Sequence, residues 1–220
     1  SSTPAFLCSG VLLRGTDVFS TSYHAWDPSP SSVTSGGVSF SYLRGDSVFI
    51  NLAYNYNNGF IFFPYFKAPE GTGINTDIDI MCSFPIDAAT ANRSDKGCGA
   101  SSSYPTQSGP CQDQGITTAD QWYSHYLQGG RSHTYQCGFT TSDTSSYDTA
   151  DGFYQTLLSM AKISSESFNM QNELRLATWP QGMQNSLPIE AFFYFRGSST
   201  GLDSAKKNQQ DFYNSTTNNI

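Results

Sequence analysis

The chain has 220 residues, a net charge of −7, 37% hydrophobic residues, 15% aromatics and only 13% charged residues. That length suits one domain, and the aromatic content supplies a core and excludes wholesale disorder. The acidity excludes a binder of phosphate backbones, which needs a clustered basic face; the longest basic run is Lys206-Lys207, so no nucleic-acid partner is expected.

In chain order, the apolar stretch 6–13 reads as a first strand, ended by Arg14-Gly15-Thr16. Pro28 and Pro30 then exclude regular structure and mark a loop. Strict alternation over 38–43 (Val-Ser-Phe-Ser-Tyr-Leu) predicts a half-buried strand. The aromatic and β-branched stretches 48–56 and 60–66 flank Asn57-Asn58-Gly59, and an Asn-Gly step between such runs predicts a hairpin. Asp77-Ile78-Asp79-Ile80 alternates again and leads into Cys82. The Ser/Gly/Pro-rich stretch at about 88–115 reads as an inserted loop within the one domain, 1–220.

Two helices follow. Thr117 or Thr118 can cap one that runs to about Gln128 with Trp122 and Tyr126 on one face. The segment 148–163 carries Phe153, Leu157, Met160 and Ala161 at helical spacing. Strands are then expected over 174–178 and 189–195, with a polar tail behind them. No internal repeat is found. The sum is a strand-rich α+β single domain.

The five cysteines stand at 8, 82, 98, 111 and 137. Cys98 and Cys111 flank the loop and are natural staples, and Cys82 with Cys137 would make a second bridge and leave Cys8 odd, although spacing alone does not fix connectivity. Zinc-type spacing is absent. Disulfides imply an oxidising compartment, hence secretion. No run of about 20 apolar residues spans a membrane. The opening Ser1-Ser2 without Met suggests a mature form whose leader has been removed.

The chemistry concentrates around Gln171-Asn172-Glu173-Leu174-Arg175-Leu176. Alternation places Gln171 and Glu173 on one face of a strand. A carboxylate there suits a developing sugar cation, and Gln171 suits the acceptor or an attacking water. Arg14, with five fixed donors, suits a diphosphate. Ser20, Thr21 and Ser22, or equally Ser39 and Ser41, offer hydroxyls to brace the glutamate or line a ribose pocket. Tyr23, Trp26 and Phe168 are candidates to stack on a base or nicotinamide ring.

Other chemistries have thinner support. His125 and His133 would be the acid–base pair of a secreted nuclease or hydrolase. His24 is the third histidine. No serine-hydrolase elbow or phosphate loop occurs, and Asp77 and Asp79 lack the spacing of a calcium loop, so no metal is expected. Asn92-Arg93-Ser94 and Asn214-Ser215-Thr216 match the glycosylation acceptor pattern. A binding module of the lectin or adhesin kind, using 26–42 and the turn around Asn58, is the reading outside enzymes.

Leu12-Leu13-Arg14-Gly15-Thr16, Ser20-Thr21-Ser22 and Met170 to Leu176, with 165–168 before them, resemble the arginine, Ser-Thr-Ser and Gln-x-Glu motifs of bacterial ADP-ribosyltransferase toxins. The Ser-rich, cysteine-bearing texture is similar to that of the halovibrins, secreted bacterial NAD-consuming proteins. The resemblance implies two packed antiparallel sheets with flanking helices and NAD as substrate. It also implies Glu173 and Gln171 as catalytic residues, with Arg14, the serines and Phe168 holding the substrate. Ser20 lies closer to Arg14 than that layout expects, which brings Ser39 and Ser41 forward, without the central threonine. The missing first glutamate of the motif implies water, or an acceptor other than arginine.

Overall fold

The structure, a computed structural model, describes residues 10–16, 19, 24, 26, 38–44, 52, 55–62, 79–88, 98, 109–132, 135–141, 147–162, 172–177 and 189–217. Seven strands form one antiparallel sheet: β1 (Gly10–Thr16), β2 (Val38–Arg44), β3 (Asn58–Phe62), β4 (Asp79–Phe84), β5 (Phe139–Thr140), β6 (Glu173–Ala177) and β7 (Ile189–Tyr194). Their order across the sheet is β5-β4-β6-β2-β1-β3-β7. Three α-helices accompany it: α1 (Ala119–Gln128), α2 (Tyr147–Lys162) and α3 (Ser199–Thr217). A 3₁₀ turn over Cys111–Gln114 precedes α1.

Alternation along the strands sorts two faces. Leu12, Phe40, Tyr42, Phe60, Phe62 and Leu174 bury together with Trp122 of α1 and Phe153 of α2. Phe40 meets Phe62 edge-on at 4.0 Å, a geometry that aromatic quadrupoles favour. At the β7 end the same face receives α3, where Phe212 packs edge-on against Phe192 at 5.9 Å. The other face carries a small cluster of Cys82, Phe84, Ala88 and Cys98, all fully buried.

Both expected helices form. Thr118 caps α1 through a capping box, its hydroxyl accepting from Gln121 N–H at 3.4 Å while Gln121 Oε1 accepts from Thr118 N–H at 3.1 Å. Trp122 stacks on Tyr126 at 5.1 Å and donates its Nε1–H to the Cys137 carbonyl.

Four expectations are corrected. Arg14-Gly15-Thr16 does not end the first strand but continues it, pairing with Phe60, Gly59 and Asn58 of β3. Asn58-Gly59 is therefore not a hairpin turn. It lies inside β3, a strand between β1 and β7, and Asn55 takes the left-handed conformation instead, with φ 57°. A Cβ at Gly59 would collide with the Arg14 carbonyl and the Phe193 ring, so the glycine is there for close strand approach.

The disulfides are Cys82–Cys98 and Cys111–Cys137, not a staple from 98 to 111. Pro110 bridges to Gly138, with Cys111 N–H donating to the Gly138 carbonyl at 2.8 Å, and this sets Cys111 beside Cys137. Cys98 folds back onto β4 instead. Lastly, α3 occupies what reads as a polar tail. Its inward residues Gly201, Ser204, Ala205 and Asn208 are buried at helical spacing, but they are small or polar and give no apolar signal. Among the described residues no helix is long and apolar enough to cross a membrane.

Candidate functional site

The middle of the sheet brings Arg14, Ser39 and Glu173 onto three adjacent strands, β1, β2 and β6. Strand β2 divides its pairing. Residues 41–44 face β1, with Leu13 opposite Ser41 as the last rung, whereas Val38, Ser39 and Phe40 pair with β6. The ladder between β1 and β2 thus parts one position before Arg14, whose place in that register is opposite Phe40.

Ser39 is the node between the two charged residues. Its hydroxyl donates to Glu173 Oε1 at 2.5 Å, and its carbonyl accepts from Arg14 Nη1 at 2.9 Å. Register alternation places Arg14 on the face of Phe40, and the guanidinium sits 6.0 Å over that ring. Glu173 shares the other face with Ser39 and Phe84, its partner in β4. The arginine therefore reaches the parting of the strands from one side and the glutamate from the other.

Glu173 is only 3% exposed. Its second oxygen, Oε2, accepts the Ala88 N–H at 2.9 Å. A buried carboxylate is tolerable only when its oxygens are bonded, and here both are. The preceding residue fixes its position: the Asn172 amide accepts from Tyr42 N–H at 2.7 Å and donates to the Tyr42 carbonyl at 2.8 Å. A side chain thus extends the β2–β6 ladder by one rung and starts β6 at Glu173.

Ser41 does not join Ser39 on the carboxylate. Buried at 4% exposure, it donates to the Asn172 carbonyl at 2.9 Å. Ser20, Thr21, Ser22, Tyr23, Phe168 and Gln171 lie outside the described residues. Of the proposed nuclease pair, His125 Nε2 lies 3.0 Å from the Tyr135 carbonyl, at a groove of about 500 Å³ beside α1. His133 lies outside the described residues. No group of three metal-ligating side chains occurs among the described residues.

Sequence reasoning missed Asn172, Ala88 and the cluster at α3. There His24 Nδ1 lies 2.6 Å from Asp211 Oδ2, Trp26 Nε1 donates to the same oxygen at 2.9 Å, and the His24 and Trp26 rings stack at 4.6 Å. The available signal was helical spacing through Ser204, Asn208 and Asp211. No protein-family model, curated protein or solved structure matches the chain. The class that fold and geometry define is a disulfide-bonded, single-domain α+β protein with a braced carboxylate at the centre of its sheet.

Proposed function

We propose that the protein cleaves the nicotinamide–ribose bond of NAD, with water as the default acceptor and a protein acceptor as the variant outcome. The observation that carries this reading is Ser39, bonded at once to Glu173 and to Arg14. One group for a sugar cation and one for a diphosphate, on strands separated by β2 and on opposite faces of the sheet, both bond to this one residue.

In the reaction, the glycosidic C–N bond breaks and its electron pair stays on the nicotinamide nitrogen, which leaves as a neutral ring. Positive charge develops on the ribose. Glu173, accepting a hydrogen bond from a ribose hydroxyl, holds that state more tightly than the ground state, which is what lowers a barrier. Arg14 would hold the phosphates at the parting of β1 and β2. Gln171 would orient the water, whose oxygen bonds to the ribose carbon and whose proton passes to solvent.

The finer architecture belongs to the same proposal: the ladders on either side of the β2 division would act as the two sheets of an ADP-ribosyltransferase-like cleft. Two disulfides fit an oxidising, extracellular setting for such an enzyme. Nicotinamide released from NAD by the wild-type chain, set beside Glu173→Gln, tests the reading. Release by the wild type alone is expected, and equal release by both removes Glu173 from the chemistry.

A further inference from the structure

Glu173 Oε2 is held by the Ala88 N–H, and the short segment that leads to this N–H is itself held at Ile86. Gln136 is fully buried and bonds both polar groups of one residue: Oε1 accepts from Ile86 N–H at 3.3 Å, and Nε2 donates to the Ile86 carbonyl at 2.7 Å. A glutamine that bonds the N–H and the carbonyl of one residue holds the two peptide groups on either side of it. Two residues on, Ala88 is fully buried in the cluster with Cys82, Phe84 and Cys98, and its N–H lands on Glu173. Gln136 is in turn fixed by its neighbour Cys137, which is bonded to Cys111. The clasp is thus covalently anchored on one side, and the cluster it supports is anchored by Cys82–Cys98 on the other.

The Ala88 and Ser39 donors on the carboxylate differ in kind. A main-chain N–H inside a clasped, buried segment has no other orientation. The Ser39 hydroxyl rotates about its C–O bond and can turn from donor to acceptor. We propose that Gln136 is a positioning residue for Glu173: through Ile86 and Ala88 it anchors Oε2, and it leaves Oε1 as the working oxygen, which exchanges the Ser39 hydroxyl for a hydroxyl of the substrate. This rests on the NAD-cleaving reading for its catalytic half and on geometry alone for its anchoring half.

The two halves are separable by experiment. Gln136→Met keeps the bulk of the side chain and removes both bonds. Carboxyl labelling with a carbodiimide and an amine, read by peptide mass spectrometry, reports whether Glu173 is held and covered, with or without turnover. In the variant, labelling of Glu173 rises at least 10-fold while exposed Asp113 is unchanged; equal labelling at Glu173 overturns the anchoring. Nicotinamide release by the variant loses 10-fold or more in kcat with KM for NAD within twofold. Undiminished kcat, with Glu173 now labelled, overturns the positioning role.

Should the wild type release no nicotinamide, the NAD reading falls and the labelling still decides the anchoring. Wild-type amide exchange needs no variant at all. The Ala88 N–H exchanges as slowly as that of Leu174 in the sheet core, and fast exchange at Ala88 overturns the proposal whether or not Gln136→Met folds.

Discussion

Ser39 and Glu173 meet across the β2–β6 ladder, hydroxyl to carboxylate, at 2.5 Å. With the Ala88 N–H on the other oxygen, the buried carboxylate is satisfied by two donors of its own chain. That arrangement separates the chemical from the structural contribution of Glu173. Gln at this position presents its carbonyl to Ala88 and its amino group to the Ser39 oxygen, so Glu173→Gln folds normally. It lacks the negative charge that would meet the ribose cation in the proposed reaction, and nicotinamide release is expected to fall on the order of 100-fold or more. Glu173→Ala removes the carboxylate that accepts from the Ala88 N–H and the Ser39 hydroxyl, a loss of about 1–3 kcal/mol for each bond. Circular-dichroism melts combined with nicotinamide assays on both variants separate the two effects; a glutamine variant as unstable as the alanine one would make the carboxylate a structural group only.

The two serines of β2 predict a contrast. Ser39→Ala removes the donor that the substrate hydroxyl replaces on Oε1, so kcat is expected to stay within about threefold of wild type while the free carboxylate loses a charge-assisted bond of about 1.5–3 kcal/mol. Ser41→Ala unpairs the buried Asn172 carbonyl instead, so its effect falls on stability, at about 1–3 kcal/mol, with kcat preserved in the folded fraction. A large loss of kcat in Ser39→Ala would show that its hydroxyl stays on Oε1 during the reaction.

In the proposed NAD-cleaving reading, Arg14 would hold the substrate. Arg14→Lys keeps the charge and loses the planar fork that spans the Ser39 carbonyl and the Phe40 ring. KM for NAD is expected to rise about 10-fold or more while kcat changes little, the signature of binding lost equally from ground and transition states. Initial rates over a range of NAD concentrations read this directly. A fall in kcat at constant KM would move Arg14 into the chemical step.

The legibility of this chain followed its periodicity. Alternation placed β2 and β6 to within a residue, and the threonine pair Thr117-Thr118 marked the start of α1, because in each case a local pattern and the tertiary environment agree. Legibility failed where contacts between distant segments overrule local chemistry. Asn58-Gly59 carries a turn signature, yet Asn58 is a buried hub: its Oδ1 accepts from Thr16 Oγ1 at 3.0 Å and from Asn208 Nδ2 at 3.4 Å. The helix α3 was invisible because its inward stripe is Gly, Ser, Ala and Asn, packing by small size and hydrogen bonds more than by hydrophobicity. Within the candidate site, Arg14, Ser39 and Glu173 were readable as residue types. Ala88 and Gln136 were not, since one contributes only its main-chain N–H and the other acts from a residue distant in sequence.

Gly59 offers a test of the architecture that is independent of function. In β3 it faces β1 so closely that a single added carbon meets the Arg14 carbonyl and the Phe193 ring, and backbone carbonyls inside a ladder have nowhere to move. Gly59→Ala is therefore expected to push β1 and β3 apart and to cost about 3 kcal/mol or more, the upper end of overpacking in a dense core. Because Arg14 is the residue displaced, the variant would also weaken NAD binding in whatever fraction remains folded. A glycine in a surface hairpin turn would behave differently, since an exposed turn relaxes without disturbing a central ladder. Chemical denaturation of Gly59→Ala beside the wild type distinguishes the two: near-native stability would return Asn58-Gly59 to a turn and remove β3 from between β1 and β7.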